Sequence, residues 1–177
     1  MQIRQAKAED AAGIAKVHVD SWRSTYKGIM PADILNNLSY GKRTELWEKN
    51  LADETNYVVV AENTVGIIGF GTASKREMNT VDRSGDLTSI YLLEEYQEQG
   101  IGKLLLKELF LLFQQLNYQS IFVEVLEENK TRYFYEYYGA KLVKTAELKM
   151  GQKVLKELIY EWDDIDTVVE KLTAKKQ

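Results

Sequence analysis

The stretch from residue 86 to 116 constrains this chain most. It opens as a β-rich segment, DLTSIYLL, and passes through a short polar loop holding Gln97, Gly100 and Gly102. A helix then carries Ile101, Leu104, Leu105, Leu109, Leu112, Phe113 and Leu116 at helical spacing. Strand, tight loop and helix start in direct succession have one chemical consequence. The first N–H groups of a helix lack intrahelical partners, and glycines let an anion approach them. Successive loop amides also form a concave nest for phosphate. The other reading of the loop is a turn that merely needs glycine. Spacing excludes a P-loop, G-x-x-x-x-G-K-[ST], and a dinucleotide fingerprint, G-x-G-x-x-G. Gly66, Gly69 and Gly71 spell the reverse, G-x-x-G-x-G, but inside a strand, where they read as close packing or a bulge.

The rest of the chain arranges itself around this unit. Residues 3–6 read as a first strand. Glu9 and Asp10 open a helix with Ile14, Val17 and Trp22 on one side. Pro31, the only proline, suits the first turn of a second helix, and residues 43–51 continue as helix. Residues 57–61 and 65–73 read as strands joined by a turn at Glu62-Asn63, with a polar loop at 75–84. After the central helix come a buried strand at 121–126 and a helix at 129–138 ended by Gly139. A closing hairpin, 142–148 and 154–162, turns at Gly151, and 163–177 is a polar amphipathic tail, helical and poorly ordered at its end. The order is a mixed α/β layer with a mostly antiparallel sheet flanked by helices, not the regular alternation of a doubly wound sheet.

At 177 residues, without repeat or linker, the chain reads as one domain, 1–177. Its 45% hydrophobic and 28% charged residues suit a packed core. A net charge of −4 argues against nucleic acid as a partner. With no cysteine there is no disulfide, cysteine nucleophile or thiolate metal site, and one histidine, His18, excludes a His-rich metal site. No signal-like start and no run of ~18 apolar residues appear, so a cytoplasmic protein without a membrane partner is expected.

Residues 86–106, DLTSIYLLEEYQEQGIGKLLL, resemble the acetyl-CoA motif of the GNAT superfamily of N-acetyltransferases: a strand, then Q/R-x-x-G-x-G/A, then a helix. Gln97, Gly100 and Gly102 match it. The resemblance implies that the loop Gln97, Glu98, Gln99, Gly100, Ile101, Gly102 and Lys103 holds the CoA pyrophosphate. It implies that the strand end at Ile90, Tyr91 and Leu92 holds the pantetheine arm. Glu94 departs from a common proline, and Glu98 places a carboxylate beside the pyrophosphate, with Lys103 near to offset it. Residues 129–140, NKTRYFYEYYGA, resemble the family's N-x-A-R-x-F-Y-E-x-x-G segment, with Thr131 replacing alanine. Asn129 is thereby implied to contact CoA and Tyr135 to sit near its sulfur. The segments from His18 to Tyr26 and from Tyr160 to Asp164 also resemble parts of bacterial members, so the likeness covers nearly the whole chain.

The implied reaction is transfer of acetyl from acetyl-CoA to a primary amine of a small molecule, by direct attack in a ternary complex and without a metal. Tyr135 suits the departing thiolate, because a phenol of pKa ~10 can protonate a thiolate whose acid has pKa ~8.5. The remaining rings, Tyr133, Phe134, Tyr137 and Tyr138, read as core. A backbone N–H near Leu92 is the expected oxyanion donor. Asp86 or Glu124 is the candidate base, each weighed against a solvated strand-end charge. His18, Trp22 and Tyr26 fall at i, i+4 and i+8, and Trp22 and Tyr26 are the candidate acceptor-side residues. Two other functions stay open: a protein or peptide amine acetyltransferase contacting its substrate through the 75–84 loop, and a non-catalytic CoA-binding module. A homodimer is the default oligomer.

Overall fold

The computed structural model describes residues 1–174. Seven strands form one sheet: β1 (Gln2–Gln5), β2 (Tyr57–Asn63), β3 (Gly66–Ser74), β4 (Ser84–Leu92), β5 (Ser120–Leu126), β6 (Lys141–Met150) and β7 (Lys153–Trp162). Their spatial order is β1-β2-β3-β4-β5-β7-β6. All neighbours are antiparallel except β4 and β5, whose crossover is the long helix α4 (Ile101–Gln115). A parallel pair requires such a crossover, and the apolar stripe of residues 101–116 supplies it.

The helices cover both faces. On one, α1 (Ala11–Thr25) and α3 (Tyr40–Ala52) bury Ile14, Val17 and Trp47 against Val58, Val60 and Phe70 of the sheet. On the other, α4 buries Leu106, Leu109, Phe110 and Phe113 against Leu87, Ile121 and Val123. Helix α5 (Thr131–Tyr137) and helix α6 (Ile165–Thr173) join this second layer through Tyr135, Ile165, Val168 and Leu172. The polar tail therefore contains an amphipathic helix whose apolar stripe is buried. The expectation of disorder at its end falls on residues 175–177, outside the described residues. Short α2 (Ala32–Asn36) bridges α1 and α3.

Two details position the site. First, β4 and β5 pair only at Ser84↔Ser120, Gly85↔Ile121 and Asp86↔Phe122. Beyond Asp86, β5 stays in register with β7 as far as Leu126. The two parallel strands therefore diverge and open a gap at their C-terminal ends. Second, the register of β3 against β4 slips between Thr72 and Ala73. This bulge leaves Thr88 exposed in the middle of the central strand.

Among the described residues no helix is long and apolar enough to cross a membrane.

Candidate functional site

The loop after β4 is built by backbone geometry. Leu93 donates its N–H to the Ile68 carbonyl at 3.0 Å. Strand alternation then turns the peptide groups of Leu92 away from β3, toward the gap. Its carbonyl accepts from Ser21 Oγ at 3.0 Å and from Gln97 Nε2 at 3.2 Å. A single 3₁₀ turn, Glu94–Tyr96, follows. Glu98 has φ 60° and Gly100 has φ 81°, both left-handed. The Gly100 conformation is one glycine adopts at no steric cost. No side chain caps α4, so the amides of Ile101, Gly102 and Lys103 have no side-chain partner.

These amides face a cleft of about 720 Å³. Ile90, Tyr91, Leu92, Gln97, Glu98, Gly100, Gly102, Lys103 and Asn129 all line it. Three of the expected donor-binding residues do not. Ile101 is buried in the core. Gln99 donates to the Glu95 carbonyl at 2.9 Å. Tyr135 is buried, with its ring edge-on to Trp162 at 5.6 Å, and its hydroxyl has no hydrogen-bond partner among the described residues. Burial, with the nearby Tyr26 phenol, raises its pKa above the ordinary tyrosine value.

The structure adds cleft residues that the sequence reading missed. Lys27 and Lys130 line it as well as Lys103, so its lining carries three cations and the two carboxylates of Glu98 and Glu128; the Lys103 ammonium donates to the Ala174 carbonyl at 3.1 Å. Phe134 and Tyr138, expected in the core, form part of its wall. Tyr133 and Tyr137, also expected in the core, are 55% and 65% exposed. Arg132 and Lys171 lie over their rings instead, at 4.3 and 4.4 Å from the centroids.

Asn129 is buried and held in place. Its Oδ1 accepts from the Thr131 amide at 2.9 Å, and its Nδ2 donates to the Tyr26 hydroxyl at 3.4 Å. The Tyr26 hydroxyl in turn meets that of Tyr91 at 3.0 Å. His18, Trp22 and Tyr26 do share one face: both successive ring pairs have centroids 5.2 Å apart. Trp22 lines a second cavity on the far side of Tyr91, whereas Tyr26 is buried in the wall.

The two carboxylates behave differently. Asp86 is 2% exposed. One oxygen accepts from Arg76 Nη2 at 3.1 Å; the other accepts from the Arg76 amide at 3.1 Å and Asn79 Nδ2 at 2.9 Å. With both oxygens engaged and no route to solvent, Asp86 anchors the 75–83 loop. Glu124 is half-buried and uses one oxygen, on Arg76 Nη1 at 2.8 Å. On the paired strand β7, burial and the Glu124 charge push the carboxyl of Glu157 up, a neighbour the sequence reading did not find.

Sequence comparison agrees with this geometry. Residues 54–139 match the profile of the "Acetyltransferase (GNAT) domain". Over 167 residues the chain is 36% identical to YuaI, an uncharacterized N-acetyltransferase of Bacillus subtilis (strain 168), covering 94% of this chain and 95% of that one. The chain belongs to the GNAT family and is an acetyl-CoA-dependent N-acetyltransferase. Its fold is shared by a ribosomal-protein-alanine N-acetyltransferase of Brucella melitensis, with TM-score 0.74 and 20% identity over 92% of this chain and 99% of that one. The PaiA N-acetyltransferase of Thermoplasma acidophilum, solved in complex with coenzyme A, also shares it, with TM-score 0.67 and 22% identity over 88% and 96%.

Proposed function

We propose that the enzyme acetylates a primary amine of a small molecule by direct attack in a ternary complex. The observation that carries this reading is the continuity of one cleft. It starts at the uncapped glycine-bearing end of α4 and runs into the gap between β4 and β5. An anion suits the first end, and an extended chain suits the second, where strand peptides have lost their ladder partners. The donor's pyrophosphate belongs at Gly100–Lys103 and its thioester beside Leu92. The Leu92 amide is the oxyanion donor. Lys27, Lys103 and Lys130 line the same cleft and offset the carboxylates of Glu98 and Glu128 in its lining.

Tyr135 acts as a hydrogen-bond donor to the departing sulfur. Its raised pKa keeps it protonated. The same shift makes full proton transfer to a thiolate uphill, so donation without transfer is its contribution. Glu124 takes the proton from the attacking ammonium, directly or through water. With no cysteine in the chain, no cysteinyl intermediate forms. Arg76 and Asn79 hold the 75–83 loop down on Asp86, which favours a small acceptor over a peptide laid along that loop. We place the enzyme in the cytoplasm, as a single domain.

A free-thiol assay with acetyl-CoA and a panel of primary amines tests the reading. Amine-dependent release of CoA is the expected result. CoA binding without release for every amine would overturn the small-acceptor assignment.

A further inference from the structure

The second cavity, about 210 Å³, lies between α1, α3 and the β3–β4 pair. It is walled by the rings of Trp22, Trp47 and Tyr91, and the Thr72, Thr88 and Ser89 side chains also line it. Tyr91 lines both this cavity and the donor cleft, so the two meet across one ring. The volume is that of about seven waters, enough for a small organic group.

His18 lines this cavity with one nitrogen still unused. Its Nδ1 accepts from Trp47 Nε1 at 3.1 Å. An indole only donates, so Nδ1 carries no proton. Burial, with Arg43 nearby, lowers the His18 pKa to about 4. At neutral pH the ring is therefore uncharged and its proton sits on Nε2. His18 is 9% exposed, and its Nε2 is buried with no acceptor among the described residues. Leaving such a donor unpaired costs about 1–3 kcal/mol. It is a group waiting for an acceptor atom.

No charged side chain lines the cavity, although His18 feels the positive charge of Arg43. That guanidinium also lies 5.5 Å from the centroid of the Trp22 ring. A second ammonium entering here would meet this cation and no carboxylate. Trp22 Nε1 is a second buried donor without a partner among the described residues. A carboxylate would still exchange its hydration for two neutral donors and a few hydroxyls, with no cation in the lining to offset its charge. A hydroxyl or amide oxygen suits His18 Nε2 and the threonine and serine hydroxyls without either penalty.

We propose that this cavity is the acceptor pocket, and that it selects monoamines whose distal group is uncharged and polar, received by His18 Nε2. The proposal rests on the acetyltransferase reading above and narrows its substrate class. The acceptor's body lies against Trp22 and Trp47 while its amine passes Tyr91 and the exposed Thr88 toward the strand gap.

Four primary amines of matched length test it: 4-amino-1-butanol, 1,4-diaminobutane, 4-aminobutanoate and pentylamine, each assayed by thiol release from acetyl-CoA. The amino alcohol should exceed each of the others in kcat/KM by about tenfold or more. His18→Phe should remove that preference by raising KM for the amino alcohol. Because this change also strips the partner of Trp47, Thr88→Glu provides a second variant at an exposed position. It should turn the preference toward the diamine. Robust turnover in which the diamine or the amino acid equals the amino alcohol would overturn the pocket and leave the acetyltransferase standing. Absence of thiol release with all four would remove the pocket together with the small-amine reading.

Discussion

The hydroxyls of Tyr26 and Tyr91 meet at 3.0 Å, tying the end of α1 to the central strand at the wall between the two cavities. Asn129 completes the chain from the second motif. Tyr26→Phe leaves the Tyr91 hydroxyl and the Asn129 amide without this shared partner. We expect a loss of about 1–2 kcal/mol in urea unfolding, and weaker acetyl-CoA binding as Asn129 loses its orientation. Unchanged stability would show that the three groups are not coupled.

Tyr135→Phe removes one hydroxyl and keeps the ring packed on Trp162. Turnover should fall by about a hundredfold, within the usual range for such catalysis, while calorimetric affinity for acetyl-CoA stays within about twofold. Equal turnover in the two proteins would remove Tyr135 from the mechanism.

The two carboxylates should separate cleanly. Glu124→Gln should flatten the acidic limb of the pH–rate profile and leave the melting temperature close to wild type. Asp86→Asn should instead weaken the buried pair with Arg76 and cost about 3 kcal/mol of stability, with the limb retained. A limb that survives in Glu124→Gln would exclude Glu124 as the base.

His18 should carry a stability signature. Its folded pKa of about 4 lies below the unfolded value near 6.5, so the unfolded chain binds the proton more readily. The contribution is complete above pH 6.5 and is lost as pH falls toward 4. About 2.5 pH units correspond to about 3 kcal/mol. A His18→Gln variant should therefore lose less stability than wild type between pH 7 and 4, by about that amount. Parallel curves would mean that His18 is hydrated in the folded state.

The donor side was legible because its chemistry is backbone chemistry. Gly100 must adopt a left-handed conformation and Gly102 must bare a helix start, and both demands appear as glycines at fixed spacing. The central helix was legible from its period. Ends were less so. The turn expected at Glu62-Asn63 falls two residues later, at Thr64-Val65, where Asn63 Oδ1 accepts from the Val65 amide. Helix α3 starts afresh at Tyr40, since Ser39 caps it. The aromatic stripe of α5 misled because exposure depends on how the helix sits on the sheet: Tyr133 and Tyr137 point out while Tyr135 points in. Of the second cavity, only the His18 and Trp22 side of α1 was legible. His18, Trp47, Val58, Thr72 and Ser89 come from five different elements, and a register slip at Thr72 brings its floor together.

The most direct test of the account is calorimetric titration of acetyl-CoA into wild type and Gly102→Asp. A side chain at Gly102 meets only ordinary contacts, the nearest Leu92 Cδ1 at 3.7 Å, and an acidic residue in the first turn suits a helix. The variant should fold, yet its carboxylate would occupy the anion site. Wild type should bind saturably, and the variant at least about tenfold more weakly, a loss of ~1.4 kcal/mol. Equal affinity in the two proteins, or no binding to either, would contradict the placement of the donor at the start of α4.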